Sequence, residues 1–248
     1  MTILDKAYED LEERSISEKH THSLSDIFKE ARDTLFSSGQ ESEAKKAQYE
    51  IDFLNFNING NKLSFLYSGT NEKGEAVEYP SLKYFTEETY NYLIERQKTT
   101  QAPNLKARYS HILWLSPKKK IEFAKTAIEE YLKLIPIREQ QDNESPTEHF
   151  GLKVLKNVKN AFLLSVSIKY DIDKLKKVVL RIINEYSFSS TSSFAMRLQL
   201  IDLMLKHKNI FEPADYNGIV NICEKLIEDN YTKSKHSAID ILTKIIRN

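Results

Sequence analysis

Apolar residues recur every three or four positions along most of this chain, which is the spacing of one face of an α-helix. The clearest instance is residues 103–135, where two such patterns meet at Ser116-Pro117. Pro103 suits the first turn of a helix, where the N–H that proline lacks would have no helical partner. Ser116 and Pro117 together resemble an N-cap hydroxyl followed by proline at the first helical position. These residues predict two helices joined as an αα-hairpin, with the second helix beginning at Pro117.

Similar patterns predict helices on both sides of this hairpin. Four are expected before it, at about 3–11, 24–38, 41–56 and 86–98, and five begin after it, near 146, 172, 193, 213 and 232. From the helix at 117 onward, the starts are separated by 29, 26, 21, 20 and 19 residues. Pairs of these intervals approach the period of about 40–47 residues in HEAT and armadillo repeats. We therefore expect an all-α fold, an array of helical hairpins stacked as a HEAT- or armadillo-like solenoid.

One segment breaks the helical pattern. Residues 62–67 (KLSFLY) and 75–79 (EAVEY) alternate between apolar and polar side chains, with a polar, glycine-containing stretch between them. This alternation predicts a small β-hairpin inserted near 62–79, and Asn59-Gly60 is expected to end the helix before it. An isolated two-stranded hairpin is only marginally stable, so the strands should pack against helices.

The one long polar stretch lies at 137–146 (IREQQDNESP). It is predicted to link an N-terminal helical region at 1–136, which carries the hairpin, to a C-terminal helical-repeat region at 146–248. Each helix has a single apolar stripe, which is too little to fold alone but enough to stack on its neighbours. The two regions are therefore expected to stack as one continuous unit.

Composition narrows the classes of function. The chain has 36 Lys plus Arg and 36 Asp plus Glu, so no net charge would attract it as a whole to nucleic acid or to an anionic membrane. No apolar run reaches the length of a membrane span, and Met1 does not open a signal peptide, which favours a cytoplasmic protein. The single cysteine, Cys223, lies on an apolar helical face with no histidine close in sequence, so we expect a buried, unreactive thiol.

The sequence contains no complete catalytic motif. It has no phosphate-binding loop, dinucleotide fingerprint, HExxH, GxSxG or CxxC motif, so neither an enzyme nor a cofactor is predicted. His20 and His22 are close together, but zinc needs three or four ligands, so no metal site is predicted either. Arg14 and His20 have the spacing used by metal-independent HEPN ribonucleases. Because they join a helix end to a loop rather than opening a long helix, we interpret this match as coincidence.

The strongest local charge lies at 151–181, where eight Lys or Arg residues against two Asp give a net charge of +6. Five of these basic residues fall on faces of two consecutive predicted helices and are the best candidates for binding an anion or nucleic acid: Lys153, Lys156, Lys174, Lys177 and Arg181. The alternative is an ordinary solvated helix face, because no aromatic residue interleaves with these lysines for base stacking.

Two further residues are expected to be structural. Arg108 lies on a mostly apolar helix, so its guanidinium is predicted to pair with an acidic side chain from a neighbouring helix. Trp114 ends that helix and is expected to fill the corner of the αα-hairpin.

Four phrases within residues 79–132 resemble the sequence of a known family. They are YPSLKYF at 79–85, L-x-x-R at 93–96, NLKARYSHILW at 104–114 and AKTAIEEYL at 124–132. This region resembles the N-terminal part of bacterial proteins that carry the uncharacterised DUF4209 domain. The resemblance implies a helical N-terminal module of a larger protein, linked to RNA degradation or phage defence. It transfers no catalytic residue, because the distinctive downstream block of that family has no counterpart in this chain.

Together these observations favour a non-enzymatic helical scaffold or protein-interaction module, part of a larger bacterial protein, whose partner is another protein. Two alternatives remain open. One is an accessory module of a HEPN-like RNA-degrading or phage-defence effector, and the other is an RNA-binding helical protein that uses the basic residues between 153 and 181.

Overall fold

The computed structural model describes residues 1–17, 24–65, 85–144, 150–185, 192–228 and 232–246. Over these residues the protein is all-α apart from one short antiparallel hairpin, as the sequence predicts. Its internal contacts divide the chain into two compact units, Met1–Tyr131 and Leu132–Asn248, and the division falls inside one long helix.

The described part of the first unit contains five complete helices, the hairpin and the beginning of a sixth helix. In chain order they are α1 (Ile3–Ser17), α2 (Leu24–Ser37), α3 (Glu41–Asn55), β1 (Phe56–Asn59), β2 (Lys62–Phe65), α4 (Glu87–Thr99), α5 (Pro103–Leu115) and α6 (Ile121–Glu144). The apolar stripes of α1 to α5 and the inner face of β1 form one core, whose largest fully buried side chains include Phe28, Phe53, Phe56 and Tyr109. Pro103 is at the start of α5, where the sequence places it.

The hairpin is present where the sequence predicts one, but its strand pairing differs from the prediction. β1 pairs with β2 in antiparallel register, with Asn59 opposite Lys62. The two-residue turn between them is Gly60-Asn61, in which Gly60 has φ +57°. Asn59-Gly60 therefore joins β1 to a hairpin turn and does not end a helix. Because β1 follows α3 directly, its four residues are hidden in the helical pattern of the sequence. The predicted strand at 75–79 lies outside the described residues.

The described part of the second unit contains the end of α6 and five further helices. They are α7 (Phe150–Ile168), α8 (Ile172–Asn184), α9 (Ser192–Lys206), α10 (Asn217–Glu228) and α11 (Thr232–Ile246), with a 3-10 turn at Pro213–Tyr216 before α10. The starts predicted near 172, 193 and 232 lie within one residue of the observed ones. The start predicted near 146 falls outside the described residues.

Helix α6 corrects two of the predictions. It begins at Ile121 rather than Pro117, because Ser116 ends the preceding helix instead of starting the next one. The backbone N–H and the hydroxyl of Ser116 both donate to the carbonyl of Leu113, at 3.3 and 2.7 Å. Helix α6 also continues through Pro136 to Glu144, so the predicted linker at 137–146 is helical as far as it is described.

The polar residues at this end of α6 make tertiary contacts within the second unit. Arg138 and Asp142 are both buried, one helical turn apart. Asp142 accepts a hydrogen bond from the backbone N–H of Gly151 at 2.9 Å, and Glu139 forms an ion pair with Arg181 at 2.7 Å. The inward positions of this segment are thus charged rather than apolar, which is why the segment has the composition of a linker.

Candidate functional site

Arg108 holds the C-terminal end of α3, and it does not form the predicted ion pair with any acidic side chain among the described residues. Its Nε atom donates to the carbonyl oxygen of Phe53 at 2.7 Å, and its Nη2 atom donates to the carbonyls of Leu54, at 2.8 Å, and of Phe56. The first two carbonyls belong to the last turn of a helix, where no helical N–H is available to them. Burial lowers the pKa of Arg108 from its ordinary value. Backbone oxygens therefore take the place of the expected carboxylate.

The buried carboxylate of Glu50, on α3, is the centre of a polar cluster in the core of the first unit. Its Oε2 atom accepts hydrogen bonds from the hydroxyl of Tyr92 at 2.9 Å and from Nε of Arg96 at 3.3 Å. Its Oε1 atom accepts a hydrogen bond from the hydroxyl of Tyr109, and the hydroxyls of Tyr8 and Tyr92 are hydrogen-bonded to each other. Helices α3, α4 and α5 meet at this carboxylate, and α1 joins them through the hydrogen bond between Tyr8 and Tyr92.

Arg96 extends the cluster from α4 towards α1. Its guanidinium carbon lies 4.0 Å from the centre of the Tyr8 ring, and its Nη2 atom lies 3.8 Å from Oε1 of Glu12. The other carboxylate oxygen of Glu12 accepts hydrogen bonds from the backbone N–H groups of Gln101 and Ala102, at 3.2 and 3.0 Å. Glu12 therefore fixes the residues that precede α5 from a different helix.

The electrostatics of this cluster favour a structural role. Burial, and then the negative charge of Glu50, raise the pKa values of Tyr8, Tyr92 and Tyr109 above their ordinary value. Burial would lower the pKa of Arg96, but the charge of Glu50 and the neighbouring phenols outweigh it and raise this pKa. The phenols are therefore neutral hydrogen-bond donors at neutral pH. The carboxylate of Glu50 is fully buried, and its hydrogen bonds hold these helices together.

His111 is a second buried polar contact in the first unit. Its Nε2 atom is 2.8 Å from the carbonyl oxygen of Gly60, and its Nδ1 atom is 2.9 Å from the hydroxyl of Tyr131. Because a carbonyl can only accept, Nε2 carries the hydrogen, and in the neutral ring Nδ1 accepts from the tyrosine. The histidine of α5 thus joins the hairpin turn to α6.

The five basic residues predicted to bind an anion lie on α7 and α8. Arg181 already donates to both carboxylate oxygens of Glu139, at 2.7 and 3.3 Å. Lys153 is half-buried, and its Nζ atom lies 4.6 Å from the centre of the Phe150 ring. The other three are exposed: Lys156, Lys174 and Lys177. The ion pair of Arg181 reduces the charge that this set can offer to a ligand.

Trp114 is half-buried in the last turn of α5, beside the turn that leads to α6. The Nζ atom of Lys119 lies 5.6 Å from the centre of a Trp114 ring. The Tyr90 hydroxyl donates to the carbonyl of Lys118 at 3.2 Å, and the Lys118 ammonium forms an ion pair with Glu87. The turn is therefore attached to α4, and it holds consecutive lysines in place.

A groove of about 350 Å³ lies between α1 and α2. Its lining includes four apolar side chains, Ile3, Ala7, Ile27 and Ala31, and three charged ones, Lys6, Asp10 and Glu30. Asp10 forms an ion pair with Arg14 at 2.7 Å. Lys6 and Glu30 are exposed, one on each of the two helices.

The other candidate reactive residues are either buried or lie outside the described ranges. Cys223 is buried, as predicted, and burial raises the pKa of its thiol to about 11. His20 and His22 lie outside the described residues. Within those ranges, no group of three or more His, Cys, Asp or Glu side chains could hold a metal ion. None of the helices found there combines the length and apolar character that a membrane crossing needs.

The sequence of this chain matches the model of a protein family. A family model described as a domain of unknown function, DUF7380, matches residues 10–177, which is more than half of the chain. The chain belongs to the DUF7380 family. No curated protein and no solved structure gives a match. DUF7380 is an uncharacterised family, as the sequence resemblance implies, while the particular resemblance to DUF4209 is not shown by this match and stays a prediction.

The DUF7380 match covers most of the buried polar contacts described above. It spans Glu50, Arg96, Arg108 and His111, and it ends within α8, before Arg181. Sequence reasoning missed the Glu50 cluster. A signal was available, because Glu50 falls at helical spacing from Ala47 and so interrupts the apolar stripe of α3. A charged residue at an inward position indicates a buried partner.

Proposed function

We propose that this DUF7380 protein is a non-enzymatic helical scaffold that acts by binding protein partners, and that a partner docks in the groove between α1 and α2. The groove carries the proposal, because it combines an apolar lining with charged side chains on both helices. Ala7 and Ala31 are small, so a helix could approach the groove closely. Exposed apolar surface that is rimmed by charge is typical of protein interaction sites.

The charges of the groove favour a second copy of this chain as the occupant. Lys6 and Glu30 stand on different helices, and neither has an ion-pair partner among the described residues. In a two-fold symmetric dimer, every contact between two different residues occurs twice, once in each direction across the interface. Lys6 of each copy would then face Glu30 of the other, giving two ion pairs over a shared apolar surface.

The arrangement of the helices supports the same class of function. Consecutive helices pack on each other in the pairs α1–α2, α2–α3, α4–α5, α7–α8 and α10–α11. Helical pairs that stack in a HEAT- or armadillo-like solenoid leave extended surfaces that bind other proteins.

A charge-swap series tests the proposal by sedimentation velocity. Lys6→Glu and Glu30→Lys should each weaken the dimer on the order of tenfold, because each replaces two exposed ion pairs by repulsions. The double variant, with both changes, should recover the dimer. Lys98→Glu and Glu95→Lys make the same charge changes at exposed positions of α4 and should leave it intact. A protein that is monomeric at all concentrations, or a double variant that stays dissociated, would contradict the groove as the site of self-association.

Nucleic-acid binding on α7 and α8 is a second candidate function. It is favoured by the exposure of Lys156, Lys174 and Lys177 on two helices that pack together. Reversing Lys174 and Lys177 to Glu should abolish salt-sensitive binding of single-stranded RNA if this candidate holds. The accessory role in a HEPN-like effector stays a prediction, because none of these contacts bears on it.

A further inference from the structure

The turn between α5 and α6 combines lysines with the only tryptophan of the chain. We call this surface the lysine turn and define it as Trp114 together with Lys118, Lys119 and Lys120. Ser116 ends α5 through its two hydrogen bonds to Leu113, so the turn has a fixed beginning. It is also attached to α4 through the hydrogen bond from the Tyr90 hydroxyl to the carbonyl of Lys118. The three lysines are therefore presented on an ordered turn.

The charges of the lysine turn are only partly compensated. Lys118 forms an ion pair with Glu87. Lys119 and Lys120 are exposed, and neither has an ion-pair partner among the residues that the structure describes. Two adjacent ammonium groups therefore face solvent beside the end of α5. Exposed lysines of this kind bind phosphate groups and release the counterions that the phosphates had condensed.

Trp114 adds an aromatic surface next to these charges. Its indole is half-buried, and the ammonium of Lys119 lies 5.6 Å from a ring centre. A cation over a ring face contributes modestly at an exposed site, and a lysine side chain is long and flexible. When Lys119 moves to a phosphate, the ring face becomes available to a planar group. The same lysine thus joins the phosphate-binding and the stacking parts of the surface.

We propose that the lysine turn binds single-stranded nucleic acid without sequence preference, with phosphates on Lys119 and Lys120 and one base stacked on Trp114. Positive charge beside an aromatic ring is the combination by which proteins hold single strands, because every base has a stacking face. An anionic membrane is less well matched. Membrane surfaces take up several protruding apolar side chains, whereas Trp114 is half-buried. This site is separate from the α1–α2 groove and does not depend on self-association there.

Intrinsic fluorescence tests the proposal directly, because Trp114 is the only tryptophan. Titration with an oligothymidylate should quench its emission in a saturable way, and added salt should weaken the binding. In Lys119→Glu/Lys120→Glu the affinity should fall on the order of tenfold at low salt, and the salt slope should fall by about 1.4, since each lysine accounts for about 0.7. Lys62→Glu/Lys98→Glu makes the same charge change at exposed positions outside the lysine turn and should leave quenching unchanged.

Fluorescence anisotropy of a labelled oligonucleotide gives a readout that does not need the tryptophan. Trp114→Leu should weaken binding on the order of tenfold, whereas Trp114→Phe should keep part of the affinity. Circular dichroism melting shows whether each variant is folded. Four results would overturn the proposal: no quenching at low salt, affinity lowered as much in Lys62→Glu/Lys98→Glu as in Lys119→Glu/Lys120→Glu, equal affinity in Trp114→Leu, or binding to vesicles with anionic lipid but not to the oligonucleotide.

Discussion

At the scale of single residues, this protein surrounds its buried charges with several hydrogen-bonding partners. Glu50 receives hydrogen bonds from two tyrosines and one arginine, and Arg108 donates to three carbonyl oxygens. Removing one side of such a contact leaves the others unpaired in a poorly solvated place, which costs more than the contact contributed. Both residues are therefore sensitive positions for stability.

Replacing Arg108 tests whether its hydrogen bonds to the end of α3 stabilise the fold. Arg108→Ala leaves the carbonyls without their donor and should reduce the free energy of unfolding by about 3 kcal/mol, because hydrogen bonds to charged groups contribute about 1.5–3 kcal/mol each and are not additive. The free energy of unfolding of Arg108→Lys should lie between those of wild type and Arg108→Ala, since one ammonium cannot make the several hydrogen bonds of a planar guanidinium. Arg32→Ala is the control, because Arg32 pairs with Asp33 at the surface. Urea unfolding measures all three, and equal effects of Arg108→Ala and Arg32→Ala would contradict the assignment.

The Glu50 cluster also predicts how stability changes at high pH. The phenols of Tyr8, Tyr92 and Tyr109 have pKa values raised above the ordinary 10.0, so the folded protein keeps protons that the unfolded chain has released. Their stabilisation is fully present below pH 10 and is lost as the pH rises above it. Each phenol contributes a slope of up to about 1.4 kcal/mol per pH unit. Urea unfolding between pH 8 and 11 should therefore show stability falling above pH 10.

Tyr109→Phe isolates this effect from other groups. Arg138, whose pKa burial lowers to about 10, acts in the opposite direction, because the unfolded chain then binds the proton more strongly. The difference between wild type and Tyr109→Phe cancels that contribution. The variant should lose up to about 1.4 kcal/mol per pH unit of the alkaline slope. An unchanged slope would show that Tyr109 titrates normally in the folded protein.

At the scale of elements, two helices end with the same hydrogen-bond pattern but with different residues. After α2, Gln40 N–H donates to Leu35 and Gly39 has φ +73°. After α7, Tyr170 N–H donates to Ser165 and Lys169 has φ +53°. This pattern is the Schellman motif. Its left-handed residue, here Gly39 or Lys169, favours glycine because a side chain is strained in that conformation.

The two ends give opposite predictions for exchanged residues. Lys169→Gly should stabilise the protein by about 1 kcal/mol, and Gly39→Ala should destabilise it by about the same amount. A Cβ added at Gly39 would meet no heavy atom within 4 Å, so its effect comes from backbone strain alone. Denaturant midpoints measure both variants. A loss of stability in Lys169→Gly would mean that contacts of the lysine side chain outweigh the strain.

Most element types could be predicted from the sequence, because apolar spacing and proline positions act locally. Pro103 and Asp171 mark helix starts correctly for this reason. The helix start predicted at Ser116-Pro117 is wrong, because the serine hydroxyl donates to the end of the preceding helix instead of capping the next one. The segment at 137–144 and the Glu50 cluster were missed for a shared reason. Their inward positions are charged, and only long-range contacts reveal the partners.

Long-range contacts also limit what the sequence can predict about the candidate sites. The inward orientation of Arg108 follows from its helix, but its partners are backbone carbonyls, which have no signature in the sequence. The lysines between 153 and 181 were found as a charge run, whereas the ion pair between Arg181 and Glu139 joins residues 42 positions apart. Charge counting identifies a basic region, and only the fold shows how much of its charge is already neutralised.

At the scale of the whole molecule, opposite charges are separated along a chain whose net charge is zero. Residues 1–55 carry 13 Asp or Glu and seven Lys or Arg, a net charge of −6, whereas residues 151–181 carry +6. The isoelectric point is about 7.0. A neutral protein has no overall repulsion between copies, and separated charges let acidic and basic regions of different copies attract each other. Screening by salt weakens this attraction beyond a distance of about 10 Å at 0.1 M.

This charge distribution predicts a solubility minimum near pH 7 that disappears on adding salt. Light scattering against protein concentration at pH 6, 7 and 8.5, in low and in moderate salt, measures it. Lys174→Glu/Lys177→Glu reduces the basic region to about +2 and should remove most of the salt dependence, while also moving the minimum to lower pH. Lys62→Glu/Lys98→Glu makes the same change in net charge at exposed positions outside that region. It should move the minimum equally but keep the salt dependence, because the basic region is intact. If both variants lose the salt dependence equally, net charge alone controls association and the separation of charge plays no part.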